Sequence, residues 1–492
     1  MKKILSVLLA IVLSVACLGI SVSAQNGAVA FGSMEVPTTN AASNANHKQD
    51  AINALSGYVD INTFTKRVID GVSNCYVSID VSSYSIPTSA IYAIYEYVFY
   101  GVPEAFNVTS MNYNYYTNTN RIANLFFYYR PFADTASEYK TCKTKMDAGA
   151  EELLKGIKGN SKLGTVEKLL LLHDRLALWN TYDHEGLAEN IKDVTKRTEI
   201  YTAYAALGLR KAVCQGYAMA YMYLLNQIGV ESYYCSSDDP SINHGWNIVF
   251  VNGKKYHVDV TWDDSDLSSE VSHKNFLRSS TGMYETGHTV LDFDLTPSDT
   301  TYDSYFWQRT HAQFLLIGNE IYYMDNVDQQ LKRYSDKKVL CTATWQGWSS
   351  NYSRITTDGR AIYYTLPSAV YRYDINAGTK QKAYSPSLSS NELLVGVIYQ
   401  DEKFYCAVGN TTNSNIREII ANYKYDYGYT YGDINDDGDI NNRDLALLMQ
   451  YVNEWSVTIN TSAADVNADG IINNRDYALL MQFVNDWNVT LG

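Results

Sequence analysis

Residues 433–444 return almost unchanged at 465–476, 32 positions later, and each copy opens onto an amphipathic run. Oxygen-bearing side chains fall at the first, third, fifth, ninth and twelfth places. In the first copy these are Asp433, Asn435, Asp437, Asn441 and Asp444; in the second, Asp465, Asn467, Asp469, Asn473 and Asp476. Gly438 and Gly470 stand sixth, where a loop of this length must turn sharply. A hard cation such as Ca²⁺ asks for about 6–8 oxygens around one point, and this spacing supplies them. The seventh-place carbonyls of Asp439 and Ile471 complete each shell. Beyond the loops, Leu445, Leu448, Met449 and Val452 predict one apolar helix stripe, and Tyr477, Leu480, Met481 and Val484 repeat it. Two Ca²⁺ ions are the cofactors expected, with none for catalysis.

An ordinary EF-hand has an entering helix and Glu in the twelfth place. Residues 425–431 hold no helical pattern, and both twelfth places are Asp. With those departures, 429–492 resembles a type I dockerin. The resemblance implies a calcium-dependent plug for a cohesin module on a scaffoldin, as in a cellulosome. It also implies that the tenth and eleventh places, Asn442-Arg443 and Asn474-Arg475, meet the cohesin. The family often has Ser-Thr there. Near-identity of the copies implies two interchangeable docking orientations.

Lys2 and Lys3 precede an apolar run over 4–20 and then Val22-Ser23-Ala24. That order predicts a signal peptide over 1–24, export, and no membrane insertion after cleavage. The run is nearly long enough to span a bilayer, so a retained anchor is the rival reading. Cys17 lacks the upstream Leu of a lipoprotein signal. The net charge of −14 argues against nucleic acid, which wants a basic face. The six other cysteines (Cys75, Cys142, Cys214, Cys235, Cys341, Cys406) are scattered and do not form a disulfide framework.

Residues 25–150 read as a mixed α/β region, with a helix over 90–98 and tyrosine-rich strands over 111–129. A second helix is predicted over 165–179, inside a module assigned to 151–305. Over 306–428, Ile321-Tyr322-Tyr323, Ile362-Tyr363-Tyr364 and Phe404-Tyr405-Cys406 recur at spacings of 41 and 42 residues. The period is similar to that of propeller blades, but three units are too few to close a ring, so a small β-sheet module is expected. The fold class expected is α+β, with the 429–492 module all-α.

Cys214 begins a helical pattern marked by Tyr217, Tyr221, Leu224 and Ile228, with Gly229 as its stop. A thiol at a helix N-terminus sheds its proton more readily. Downstream, Asn252-Gly253 joins two strand-like runs, a strong hairpin signal. A two-residue turn sets Val251 opposite Lys254, Trp246 opposite Asp259 and His244 opposite Thr261. His244 and Asp259 then become diagonal neighbours on one face, about 7–8 Å apart at most between backbones. Thiol, imidazole and orienting carboxylate are the parts of cysteine acyl transfer. His257 and His173 are rival bases, and a lone Cys or His is more often core. Trp246 and Trp262 are candidates for groove walls and equally for core.

The wording of these segments, Val213-Cys214-Gln215-Gly216-Tyr217, His244-Gly245-Trp246-Asn247 and Tyr256-His257-Val258-Asp259-Val260-Thr261-Trp262-Asp263, resembles the bacterial transglutaminase-like superfamily. Asn275-Phe276-Leu277 matches its closing strand, and Gly245 stands where Ala is usual. The resemblance implies a papain/transglutaminase-like core with an antiparallel sheet and Cys214, His244 and Asp259 as the triad. It implies a thioester enzyme on a protein or peptide, hydrolase ahead of crosslinking, with the Cys214 backbone N–H in the oxyanion hole. The alternative is a non-catalytic accessory protein that binds protein or glycan. A glycoside hydrolase lacks an identifiable acid pair in a barrel-like pattern.

Overall fold

The computed structural model describes residues 29–33, 47–237, 242–265, 270–289, 297–346, 353–413, 415–487 and 489–492. The signal segment at 1–24 lies outside them. Among the described residues no helix is long and apolar enough to cross a membrane. The chain divides into two compact units, Met1–Thr144 and Lys145–Gly492.

In the first unit, helices α1 (His47–Leu55), α2 (Ile61–Ser73) and α3 (Ile91–Gly101) accompany an antiparallel sheet. Its strands β1 (Val29–Ser33), β2 (Ser78–Asp80), β3 (Val108–Tyr116) and β4 (Arg121–Tyr129) stand in the order β1-β3-β4-β2. The helix and strands expected from apolar spacing are both present. Phe64, Val68 and Val72 of α2, Ile94 and Val98 of α3, and Leu125 and Phe127 of β4 are buried as its core.

Helix α4 (Ala136–Leu154) leads to α5 (Thr165–Trp179), a short parallel pair β5 (Thr181–Tyr182) and β6 (Lys211–Ala212), and α6 (His184–Lys192) between them. Next come α7 (Cys214–Gln227) and a four-stranded antiparallel sheet, β10-β9-β8-β7. Its strands are β7 (Ser232–Ser236), β8 (Gly245–Val251), β9 (Lys254–Val258) and β10 (Phe276–Arg278), with α8 (Val260–Asp263) and α9 (Ser280–Glu285) beside them. Helix α7 is buried from Gly216 through Leu225, on every side rather than along one face. That corrects the amphipathic expectation: Tyr217, Ala218, Met219 and Ala220 are all interior, because α5, the sheet and the 198–209 segment enclose the helix.

A fully buried polar cluster fastens this core. His173 Nδ1 lies 2.8 Å from Asp174 Oδ1 and its Nε2 3.2 Å from Asp263 Oδ2. His273 Nε2 lies 2.9 Å from Asp174 Oδ1, and the Phe314 N–H donates to Asp174 Oδ2 at 2.6 Å. Burial works to lower the His173 pKa, but its hydrogen bonds to the Asp174 and Asp263 carboxylates and their charge outweigh it and carry it up to about 9. His173 therefore stabilises the fold fully below its unfolded value of about 6.5, and that contribution fades as pH rises through about 9. The loss is worth about 3 kcal/mol. Thermal melts should fall between pH 7 and 10, and His173→Gln should flatten that slope; a slope unchanged in the variant would remove His173 from the account.

Residues 315–422 form three successive antiparallel meanders. They are β11 to β14 (Leu315–Ile317, Glu320–Asp325, Gln330–Arg333, Val339–Thr342), β15 to β18 (Ile355–Thr357, Ala361–Leu366, Ala369–Asp374, Thr379–Tyr384) and β19 to β21 (Glu392–Gln400, Lys403–Asn410, Ile416–Asn422). The recurring triplets occupy the second strand of each. Alternation along β16 explains the stacking. Ile362 and Tyr364 point into a core shared with Tyr322, Met324 and Leu331, while Tyr363 points to Val397, Phe404 and Cys406.

Beyond β21 the chain runs as an alternating strap. Arg360 lies 3.5 Å from the Tyr431 ring centre and also covers Tyr427 and Tyr429. Arg372 lies 3.7 Å over Tyr425, and the Tyr427 hydroxyl bonds Asp358. Such a cation–π contact contributes about 0.5–1 kcal/mol when exposed and about 2 kcal/mol when desolvated, as it is at the buried Arg372. The chain closes with α10 (Asn442–Val452), α11 (Thr461–Ala464) and α12 (Asn474–Val484) around Ile434, Leu448, Ala464, Val466 and Leu480. Leu447 and Leu479 join this core, whereas Met449 and Met481 are 40% and 37% exposed. The methionines expected in the stripe therefore face outward: a core this small is too narrow for the whole predicted stripe.

Candidate functional site

Cys214 is the first residue of α7, half-buried, with Val213 extended ahead of it as the cap. The chain reaches this turn through β6 and the 198–202 segment. A Cβ on Gly216 would stand 2.6 Å from the Ile200 carbonyl oxygen and 2.8 Å from Ala212 Cβ, so only glycine lets the first turn seat there. The Tyr182 phenol, on β5, faces the same turn; burial first, then the neighbouring Cys214 and Tyr201, raise its pKa.

The hairpin has the expected turn. Asn252 and Gly253 both have positive φ (52° and 76°), as a type I′ turn requires. Pairing runs from Val251↔Lys254 through Asn247↔Val258, in the predicted register. The ladder then stops, and the expected Trp246–Asp259 and His244–Thr261 pairs do not form. Asp259 instead caps α8: its Oδ1 accepts the N–H of Thr261 at 2.9 Å and of Trp262 at 3.2 Å. This swing carries its other oxygen to His244, whose Nε2 lies 2.6 Å from Asp259 Oδ2.

Burial works to lower the His244 pKa. The charge and hydrogen bond of Asp259, and then a hydrogen bond from the Cys214 side chain, override it and push it up to about 10. The same pairing holds the fully buried Asp259 well below the usual carboxylate range, against its desolvation. Cys214, His244 and Asp259 thus come together. The Trp262 ring, 41% exposed, stacks on His244 with centres 4.9 Å apart, and the buried Trp246 ring stacks behind at 5.7 Å. Trp262 is a wall and Trp246 is core.

The rival bases have other partners. His257 Nδ1 accepts from Trp246 Nε1 at 3.0 Å and Nε2 faces Ser280 Oγ at 3.0 Å; burial, helped by His288, drives its pKa down to about 3. His173 belongs to the cluster described above. One residue at the site has no motif in the sequence: His288, 1% exposed, whose Nε2 lies 2.8 Å from Asp259 Oδ2. Among the described residues, two groups of buried side chains bring metal-ligand atoms within 4.8 Å of one another, His173/Asp174/His273 and His244/Asp259/His288. Hydrogen bonds at 2.6–2.9 Å account for both.

Gly245 also has a local cause. A Cβ there would stand 2.2 Å from the Tyr234 hydroxyl and 2.6 Å from its ring. Gly245→Ala should cost about 1–3 kcal/mol as an overpacked site; an unchanged denaturation midpoint would mean that Tyr234 moves aside freely.

In the C-terminal loops, Asp433 accepts from the Asp437 and Gly438 N–H groups, both at 3.0 Å, and Asp465 accepts from Asp469 and Gly470 at 3.1 and 2.8 Å. Gly438 and Gly470 have φ of +93° and +82°, which side chains resist. Burial and neighbouring carboxylates raise the pKa values of Asp465 and Asp476, because these acids are crowded at one point. That donor set fits a hard cation. Asn441 and Asn473 spend their side-chain oxygens on capping α10 and α12, which leaves them to reach an ion through water. Asp444 and Asp476 close both capping boxes from buried positions. Asp437 and Asp469 accept the N–H of Asp439 and Ile471. Asn435 and Asn467 fold inward onto the Asp437 and Asp469 N–H groups. Asn442, Arg443, Asn474 and Arg475 are exposed on the first turns of α10 and α12.

The model of the Dockerin type I domain matches residues 431–485. No curated protein matches the chain. Among solved structures, one titled "Crystal structure of a TGase" aligns at 14% identity and a TM-score of 0.22, over 28% of this chain and 41% of that one. The chain thus spans about two fifths of that structure's length, a likeness too slight to bear on fold or activity.

Proposed function

We propose that this chain is a secreted cysteine acyl-transfer enzyme, a peptidase or amide hydrolase, held on a cellulosome-type scaffold by a calcium-dependent dockerin. Residues 151–305 carry the chemistry, 306–428 a β-module, and 429–492 the tether. The observation that carries the catalytic half is the buried His244–Asp259 pair at 2.6 Å, with Cys214 close enough to the imidazole to raise its pKa.

In the reaction, the proton shared by Cys214 and His244 rests on the imidazole, and the Cys214 sulfur bonds to the amide carbonyl carbon as the carbonyl electrons move onto oxygen. The imidazolium then gives that proton to the leaving nitrogen as the C–N bond breaks, leaving a thioester. Water, deprotonated by His244, attacks the thioester and releases the acid and the free thiol. The Cys214 backbone N–H, at the start of α7, is a donor for the oxyanion.

The tether reading rests on the matched residues 431–485 and on the symmetry of the exposed surface. Two Ca²⁺ ions would be held by the two acidic loops, chiefly through Asp433, Asp437, Asp444 and Asp465, Asp469, Asp476. Asn442-Arg443 and Asn474-Arg475 meet the cohesin, and Met449, Met481, Trp455 and Trp487 stand exposed at matching places in the two copies.

Peptide-mapped labelling of the calcium-loaded chain with a thiol probe tests the enzyme. Cys75 and Cys341 are also half-buried, but burial raises both their pKa values. Cys214 should label first; Cys75 or Cys341 labelling ahead of it would refute the assignment.

A further inference from the structure

We propose that His288 is a positioning residue for the same chemistry: its imidazole keeps the Asp259 carboxylate ionised and turned toward His244. The inference rests on the cysteine reading above and adds to it a fourth side chain.

Asp259 is fully buried and accepts four hydrogen bonds. Two backbone N–H groups occupy Oδ1, while His244 Nε2 and His288 Nε2 share Oδ2 at 2.6 and 2.8 Å. With its proton on Nε2, His288 donates as the other three partners do, and no place is left for a proton on the carboxylate. With His244 alone on Oδ2, one lone pair of a buried charge would go unmet, a cost relieved by rotating the carboxylate or protonating it. His288 closes that gap.

Its own ring is fixed for the task. It packs on Trp262 with centres 4.0 Å apart and meets Trp246 edge-on at 5.0 Å, and its Nδ1 lies 3.2 Å from the Thr286 hydroxyl. The titratable groups around it are His244 ahead of β8, His257 on β9 and Asp259 at the start of α8, with Cys214 of α7 beyond His244. A ring held only for packing would not need its nitrogen on the carboxylate.

The sign of the test follows from Asp259. A carboxylate that loses this donor is free to turn from His244, the imidazolium is then less well held, and the reactive Cys214–His244 pair needs a higher pH to form. The reaction of Cys214 with iodoacetamide, followed by peptide mapping across pH 4–9, reads this without a known substrate. In His288→Phe, which keeps a ring between the tryptophans, the acid limb of the rate profile should move up by about one unit, a tenfold loss at a fixed pH on that limb. His288→Gln, which restores an N–H, should recover at least half of that shift. His288→Asn, with circular dichroism on each variant, serves if the Phe chain does not fold.

A folded Phe or Asn variant whose profile overlays the parent's would overturn the proposal, as would equal damage from Phe and Gln. A different failure is recognisable: if parent Cys214 reacts no faster than in the denatured chain, the cysteine reading falls and takes this inference with it.

Discussion

Cys214→Ala should abolish turnover of any amide substrate and end labelling of the 214 peptide, with Cys75 and Cys341 labelling unchanged. His244→Ala should slow turnover on the order of 10²–10⁴-fold, the usual contribution of a positioned acid–base group. The two variants need not add, because residues that act as a unit lose most of their value together. The pH dependence has a definite sign. Leaving-group protonation needs His244 in its charged form, and Asp259 with Cys214 holds that form up to about pH 10. Turnover should therefore persist through neutral pH and fall as pH rises through about 10. Rates that already fall by pH 7 would mean that His244 is not the acid.

Calcium withdrawal should have an effect as large on the other half of the molecule. The C-terminal core is built around Ile434, Leu448, Ala464, Val466 and Leu480, none larger than leucine or isoleucine, less than a domain this small needs to fold unaided. The acids of the second loop crowd together, so without a cation the folded loop carries their repulsion. Calcium at about a thousand times its dissociation constant adds roughly 4 kcal/mol to the folded state. Chelation with EDTA should melt α10 and α12, seen as lost helical circular dichroism, and reduce cohesin binding at least 10³-fold by calorimetry. Asp433→Ala and Asp465→Ala should each reproduce part of this, and unaltered cohesin binding in EDTA would sink the calcium assignment. Cys214 labelling should persist in EDTA, since the thiol lies on α7 and not in the loops.

Much of this was legible along the chain because it is local. The Asn252-Gly253 turn sets the hairpin register, and the register brings His244 near Asp259. Gly229, with φ of +72°, ends α7 as its position suggests. What periodicity cannot carry is what happens where a ladder stops. Asp259 was expected to sit in β9; it caps α8 instead, because two N–H groups with no strand partner take its carboxylate. His288 follows a short helix and a turn, in no repeating pattern, and reaches the site only through the tertiary fold. The enclosure of α7 likewise depends on α5 and the sheet, whose positions are not written within the helix itself. Met449 and Met481 obey helical spacing and still face outward, because spacing specifies a face while the width of the neighbouring core decides how much of it is covered.

The Arg360 and Arg372 strap has a mechanical consequence. Glycine-serine spacers let a passenger sweep a wide volume around its anchor; here two guanidinium groups clamp four tyrosines. If the plug seats on its socket in either of two half-turn poses, a clamped mount turns that choice into two separate headings for the Cys214 site, where a slack one would blur them. Cutting the clamp with Arg360→Ala would trade aim for reach.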